Sequence, residues 1–267
     1  MSDFGFTCLL PVWKRDEPEL FLQAARSVAE STLPPDEILI CQDGGLPSAL
    51  GGVVDGLLRC PRYRLIVNQG PPGLHHNLNQ AARTVRTPWI ARMDADDLNR
   101  PERFAAQVAF LDAHPRVDVV GGSIIEITND GSRRRRVTPL THSDIERRAR
   151  WRSPMNHMTV FMRRQTFLAA GGYPDVPRKE DYALWLRMLA IGAMFANLPD
   201  DLVDVRLGPD FARRRAGLDS ARSEYRLYSL RRRLKPDSLL DAAVFLARAA
   251  ALSSSGPAAL LYRTVLR

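Results

Sequence analysis

The chain reads as an α/β protein built on a doubly wound, mostly parallel sheet with helices on both faces. Three observations predict this. Short apolar runs alternate with segments of helical period through the first half of the chain. Two of those runs end on aspartate, at Asp43 and at Asp94. No apolar run reaches the roughly 18 residues of a membrane-spanning helix.

The elements follow in order. Phe6 to Leu10 is an apolar strand stopped by Pro11. From Asp16 to Ser31, Leu20, Ala24, Ser27 and Val28 recur at helical spacing, with Asp16 and Glu17 where the helix dipole favours acidic groups. Glu37 to Cys41 is a second strand, closed by Asp43-Gly44-Gly45, and Tyr63 to Val67 a third. Leu74, Leu78, Ala81, Ala82 and Val85 form the next helical face. Trp89 to Met93 is the fourth strand, and Pro101 opens a helix reaching His114. A strand over Val117–Ile127 follows, then the turn Asn129-Asp130-Gly131 and the run Arg133 to Arg136, which reads as a solvated loop or a contact for lipid phosphates. Met158 to Met162 predicts a strand, Gln165–Ala170 a short helix ended by two glycines, and Asp181–Ile191 a helix. Beyond Gly217 the pattern is helical, with an amphipathic segment from Asp237 to Ala250 and a last one near Ala258–Leu266. The predicted organisation is an α/β domain over 1–210 and a helical extension over 211–267.

Composition narrows the partners. With 267 residues, 45% hydrophobic and 25% charged, the chain can bury one substantial core. Its net charge of +8 rests on arginine, since only Lys14, Lys179 and Lys235 are lysines. That field favours anionic partners such as nucleotide phosphates or anionic lipid. Nucleic acid is not expected: aromatics are 7% and fall mainly in apolar runs, away from the basic residues. Cys8, Cys41 and Cys60 are odd in number and lack metal-site spacing, which predicts reduced thiols, and the lack of a basic-then-apolar leader pattern or a spanning apolar run predicts a cytoplasmic protein.

Chemistry concentrates at strand ends. Asp94, Asp96 and Asp97 place three carboxylates within four residues, where mutual repulsion calls for a cation or a solvated turn. An ion such as Mg²⁺ or Mn²⁺, taking few protein carboxylates and sharing a substrate phosphate, suits them; an Asp-rich turn capping the next helix is the alternative. Asp43 and this cluster both sit at predicted strand C-termini, the rim where ligands bind in such sheets. Glu180 and Asp181, taken alone, read as the cap of a helix. His157 is open to three readings, an acceptor-pocket residue, a metal ligand or a structural histidine. His75 and His76 read as solvent-facing, with one of them near a bound phosphate as the alternative, and Trp185 as core, with a wall of the acceptor pocket as the alternative.

Five segments, in order, resemble the family 2 glycosyltransferases, whose fold is GT-A: Leu9-Leu10-Pro11-Val12-Trp13; Glu37 to Ile40 with Asp43-Gly44; Gly73-Leu74 through Leu78-Asn79-Gln80; Ile90 to Asp97 with Pro101 and Arg103-Phe104, similar to a DxD metal motif; and Glu180-Asp181-Tyr182 with Leu184 to Arg187. The match covers about residues 5–207, and ARMDADD with Asn156-His157-Met158 and Gly171-Gly172-Tyr173 looks closest to the bacterial exopolysaccharide and O-antigen branch. The resemblance implies an inverting transfer of sugar from a nucleotide-diphosphate sugar to a hydroxyl of a glycan or polyprenyl-linked acceptor. It further implies a nucleotide site of Pro11, Asp43, Asn79, Asp94, Asp96 and Arg206. A Mg²⁺ or Mn²⁺ ion would lie on Asp94, Asp96 and Asp97. Asp181 is implied as general base, with Glu180 beside it. Peripheral contact with the inner face of the cell membrane is compatible with the lipid-linked acceptors of that branch and with the amphipathic C-terminal segment.

Two departures stand out. Gln42 replaces the first of the two aspartates the family places before Gly44, and no histidine follows Arg206 in Val205-Arg206-Leu207-Gly208. Among other activities, a sugar-phosphate nucleotidyltransferase would want a Gly-rich phosphate loop after the first strand, where Val12-Trp13-Lys14-Arg15 stands instead, and no Walker A sequence occurs.

Overall fold

The computed structural model describes residues 4–208 and 218–234. In chain order the elements are β1 (Phe6–Trp13), α1 (Pro18–Ala29), β2 (Glu37–Asp43), α2 (Ser48–Leu57), β3 (Tyr63–Val67), α3 (Leu74–Thr84), β4 (Trp89–Arg92) and β5 (Leu98–Asn99). There follow α4 (Arg103–Ala113), β6 (Val119–Thr128), β7 (Arg133–Arg136), α5 (His142–Ala149), a 3₁₀ turn (His157–Thr159), β8 (Phe161–Arg163), α6 (Arg164–Ala169), α7 (Glu180–Ala190), β9 (Phe195–Leu207) and α8 (Leu218–Leu234).

The strands form one sheet in the order β3-β2-β1-β4-β8-β6-β9-β5, with β7 paired to β6. The first four are parallel. Beyond them β8 runs antiparallel to both β4 and β6, β9 runs parallel to β6, and β5 closes the edge antiparallel to β9. Pleating gives β1 two working faces. Phe6, Leu10 and Val12 pack with Phe21 of α1, Val54 of α2 and Phe104 of α4, while Leu9 packs on the other side with Leu78 of α3, Phe167 of α6 and Trp185 of α7. Helices therefore cover both faces, as the alternation predicts. Cys8 and Cys41 are buried free thiols.

Several expectations are corrected. Pro11 does not end β1, which runs on to Trp13. The Leu9 carbonyl accepts from Met93 on the β4 side, so Pro11, two residues later, faces the same side just where β4 has ended. Its missing N–H therefore costs no ladder bond. Helix α1 starts only at Pro18 and buries Phe21, Ala24, Ala25 and Val28, a face turned away from Leu20. The arginine run is a strand, with Arg133 bonded to Asp204, Arg135 to Asp201 and Arg136 to Glu126. The stretch before Phe161 is a 3₁₀ turn, so β8 holds only three residues. Helix α8 packs on α7 through Leu227 against Val176, Tyr182 and Ala183, beside the ion pair Lys179 Nζ–Glu224 Oε1 at 2.7 Å. Arg213-Arg214-Arg215, which the sequence offers either as solvated arginines or as a closure over the diphosphate, and the segments 237–250 and 258–266 lie outside the described residues.

Candidate active site

Three strand ends meet on one rim. A cavity of about 770 Å³ opens there, lined by Pro11 and Trp13 from β1, Asp43 from β2, Gly73 before α3, and Arg92, Asp94 and Asp96 at and after β4. Parallel strands end together on this edge, so residues remote in sequence become neighbours.

Asp43 is held on both oxygens: Asn68 Nδ2 donates to Oδ1 at 2.9 Å and the Gly73 N–H to Oδ2 at 2.8 Å. The carboxylate thereby ties the loop 68–73 against the sheet. Gly73 turns the chain into α3 at φ +138°, a conformation that favours glycine.

The acidic cluster divides by environment. Asp94 Oδ1 pairs with Arg92 Nη2. Asp94 and Asp96 line the cavity, while Asp97 lies outside its lining and is 2% exposed. Burial, and then the like charges of Asp94 and Asp96, push the Asp97 carboxyl well above the usual carboxylate range. Its Oδ1 accepts from the Arg206 N–H at 3.0 Å. The Arg206 guanidinium donates to the Asp96 carbonyl at 2.8 Å and to Gln23 Oε1 at 2.5 Å, so it braces the loop that carries the motif. Asp16, which the sequence assigns to a helix turn, instead closes a turn by accepting from the Trp13 N–H at 2.8 Å and lines the same cavity. Burial, reinforced by Asp96 and Asp94, raises its carboxyl to about 6.

Glu180 and Asp181 open α7 and lie outside the cavity lining. Burial and then the charge of Asp181 raise Glu180 to about 7, and its carboxyl also feels Arg92 and Asp94. Ser153 Oγ lies 3.5 Å from Asp181 Oδ2. The wall behind them is Tyr173, whose hydroxyl meets His157 Nε2 at 2.8 Å. Burial and then Arg92 hold the partly buried His157 well below the usual histidine range, so its ring is neutral. Asn79 clamps this wall, donating to the Tyr173 carbonyl and accepting from its N–H, both at 2.8 Å, and it lies outside the cavity lining. His75 is buried beside Asp175 at 3.6 Å, which corrects the solvent-facing expectation. Trp185 is fully buried, edge-on to His157 and Phe195.

Among the described residues no three His, Cys, Asp or Glu side chains converge to cage a metal ion. Two carboxylates on an open cavity instead fit a hard divalent ion that completes its shell with substrate phosphate and water.

Solved structures share this architecture. The S. aureus TarS 1–349 complex with UDP-GlcNAc matches with TM-score 0.67 at 16% identity, covering 98% of this chain and 76% of that one. The mannosyltransferase PcManGT of Pyrobaculum calidifontis, solved with GDP-Man and Mn²⁺, matches with TM-score 0.62 at 19% identity, covering 97% and 78%. The fold is thus that of the GT-A glycosyltransferases. The family model for glycosyl transferase family 2 matches residues 7–172, and the chain belongs to that family. Amylovoran biosynthesis glycosyltransferase AmsE of Erwinia amylovora is 33% identical over 240 residues, 90% of each chain. The UDP-Gal:alpha-D-GlcNAc-diphosphoundecaprenol beta-1,3-galactosyltransferase of Escherichia coli is 30% identical over 220 residues, 82% of this chain and 80% of that one. The protein is accordingly a glycosyltransferase related to enzymes of bacterial surface-polysaccharide synthesis. No described helix is long and apolar enough to cross a membrane.

Proposed function

We propose that the protein transfers a sugar, with inversion, from a nucleotide-diphosphate sugar to a hydroxyl of a glycan or polyprenyl-linked acceptor. The observation that carries this reading is the shared cavity, which brings Asp43, Asp94 and Asp96 from separate strand ends to one rim while α7 offers two carboxylates close by. Asp43, with Pro11, borders the end assigned to the nucleoside, and Asp94 and Asp96 the end assigned to the diphosphate. Mg²⁺ or Mn²⁺, when bound on Asp94 and Asp96, would supply Lewis-acid neutralisation of the leaving diphosphate. Asp181 takes the acceptor proton as the acceptor oxygen bonds to the anomeric carbon and the carbon–phosphate oxygen bond breaks. Glu180 is its neighbour and Arg206 braces the loop. The lipid-linked substrate named for the Escherichia coli relative supports a lipid-linked acceptor, with the cytoplasm and the inner membrane face as the working location.

Thermal unfolding with nucleoside diphosphates tests this. UDP or GDP with Mn²⁺ or Mg²⁺, near a hundred times its dissociation constant, raises the melting temperature by roughly 5 °C. If no nucleoside diphosphate stabilises the protein with either ion, the proposal falls.

A further inference from the structure

Among the charges lining the cavity, Arg92 is buried with donors left unmatched. Its side chain is 3% exposed and pairs through Nη2 with Asp94. Nε and Nη1 are equally buried and have no hydrogen-bond partner. A guanidinium is planar, permanently charged and carries five N–H donors, so leaving two of its nitrogens unmatched in a dry setting is costly. Its position follows from the pleat. Trp89 and Ala91 face the α1–α4 side and Ile90 the α3–α7 side, so Arg92 at the strand end shares the side of Ile90. There it lines the cavity, and its charge reaches Asp94, Tyr173, His157 and Glu180. Both the DxD loop and Glu180 thus feel its charge.

Ligand chemistry decides what it awaits. Sugar hydroxyls would satisfy the free N–H groups but bring no negative charge to replace Asp94 if that carboxylate turned to a bound ion. A diphosphate does both, and guanidinium–phosphate contacts are matched in geometry as well as charge. Resting on the glycosyltransferase reading above, we propose that Arg92 is a donor-binding residue whose free N–H groups hold the diphosphate, independently of the metal ion. Asp94 serves as its counter-ion until the donor arrives. Nothing in the motif spacing marks this role, because an arginine at the end of an apolar run reads as a strand terminus.

The test is calorimetric titration of wild type, R92Q and R92K, in chelator, with UDP, UMP, GDP and GMP. The readout is the affinity gain of each diphosphate over its monophosphate. Wild type shows that gain without metal for the base it accepts. R92Q loses roughly tenfold or more of it, the size expected for charge-assisted hydrogen bonds, with monophosphate affinity little changed. R92K, which keeps the charge but not the fork, recovers part. Monophosphate binding that survives in R92Q certifies the fold; if R92Q loses it, R92K alone decides, by a diminished gain or an intact one. A gain that is intact in the variants overturns the proposal while leaving the glycosyltransferase reading in place. A wild type that binds neither diphosphate, with or without Mn²⁺, removes both.

Discussion

Asp181 and Glu180 are adjacent carboxylates whose expected roles separate on substitution. As the proposed base, Asp181 is required at the step in which the acceptor oxygen loses its proton. D181N therefore lowers transfer by about a thousandfold, within the range of general-base contributions, and leaves nucleotide affinity unchanged in titration. Glu180 titrates near 7 in the folded protein, above its ordinary 4.5, because burial and Asp181 disfavour its charge. The folded state thus holds a proton that the unfolded chain has already released. Stability conferred by Glu180 falls as pH rises from about 4.5 to 7 and is constant above that. E180Q abolishes this loss. Relative to wild type, E180Q gains on the order of 1–2 kcal/mol between pH 5 and pH 8 in urea unfolding, after allowance for solvent screening. A difference that is flat with pH would refute it.

Elements differ in how plainly the sequence announces them. Strands β1 to β4 are short apolar runs bounded by turn residues, and Asp43 and Asp94 sit at their ends, so half the sheet and the rim were legible. Helix α2 was not, since Gly51, Gly52 and Gly56 lower its intrinsic propensity and tertiary contacts through Leu50 and Val54 rescue it. Strand β9 was hidden by Pro199-Asp200-Asp201, which lies where its register against β6 shifts at Gly122 and Ser123. Asn79 shows the same limit at the site. Its helix was clear, but its amide binds Tyr173 across 94 residues, a long-range pairing that no local pattern encodes. Gly172 is what permits that clamp. It sits at φ +67°, and an added Cβ would lie 2.4 Å from Asn79 Oδ1. G172A accordingly costs about 2–3 kcal/mol, from left-handed backbone strain and overpacking together. In thermal melts N79A/G172A loses less than the two single changes added, because the clash is removed with Asn79.

The whole molecule is one twisted sheet with two differently supported ends. The parallel half carries the cavity; the mixed half, β6 to β9, carries α7 and the wall behind the carboxylates. Arg103 links them. Fully buried, it donates to the Arg92 carbonyl at 2.9 Å, to Asn99 Oδ1 at 3.1 Å and to Gln107 Oε1 at 3.1 Å, and burial depresses it to about 10. The same residue type serves the periphery in the opposite way. Strand β7 is Arg133 to Arg136 throughout, and among the described residues only β6 pairs with it. Its outer row of backbone donors and acceptors is the kind of open template on which a second chain could add a strand. Two molecules approaching along that border would meet long arginine side chains, three of them already held by Asp204, Asp201 and Glu126, before a backbone bond could form. The arginine run that reads as a loop thus makes this border a poor template for another copy of the chain.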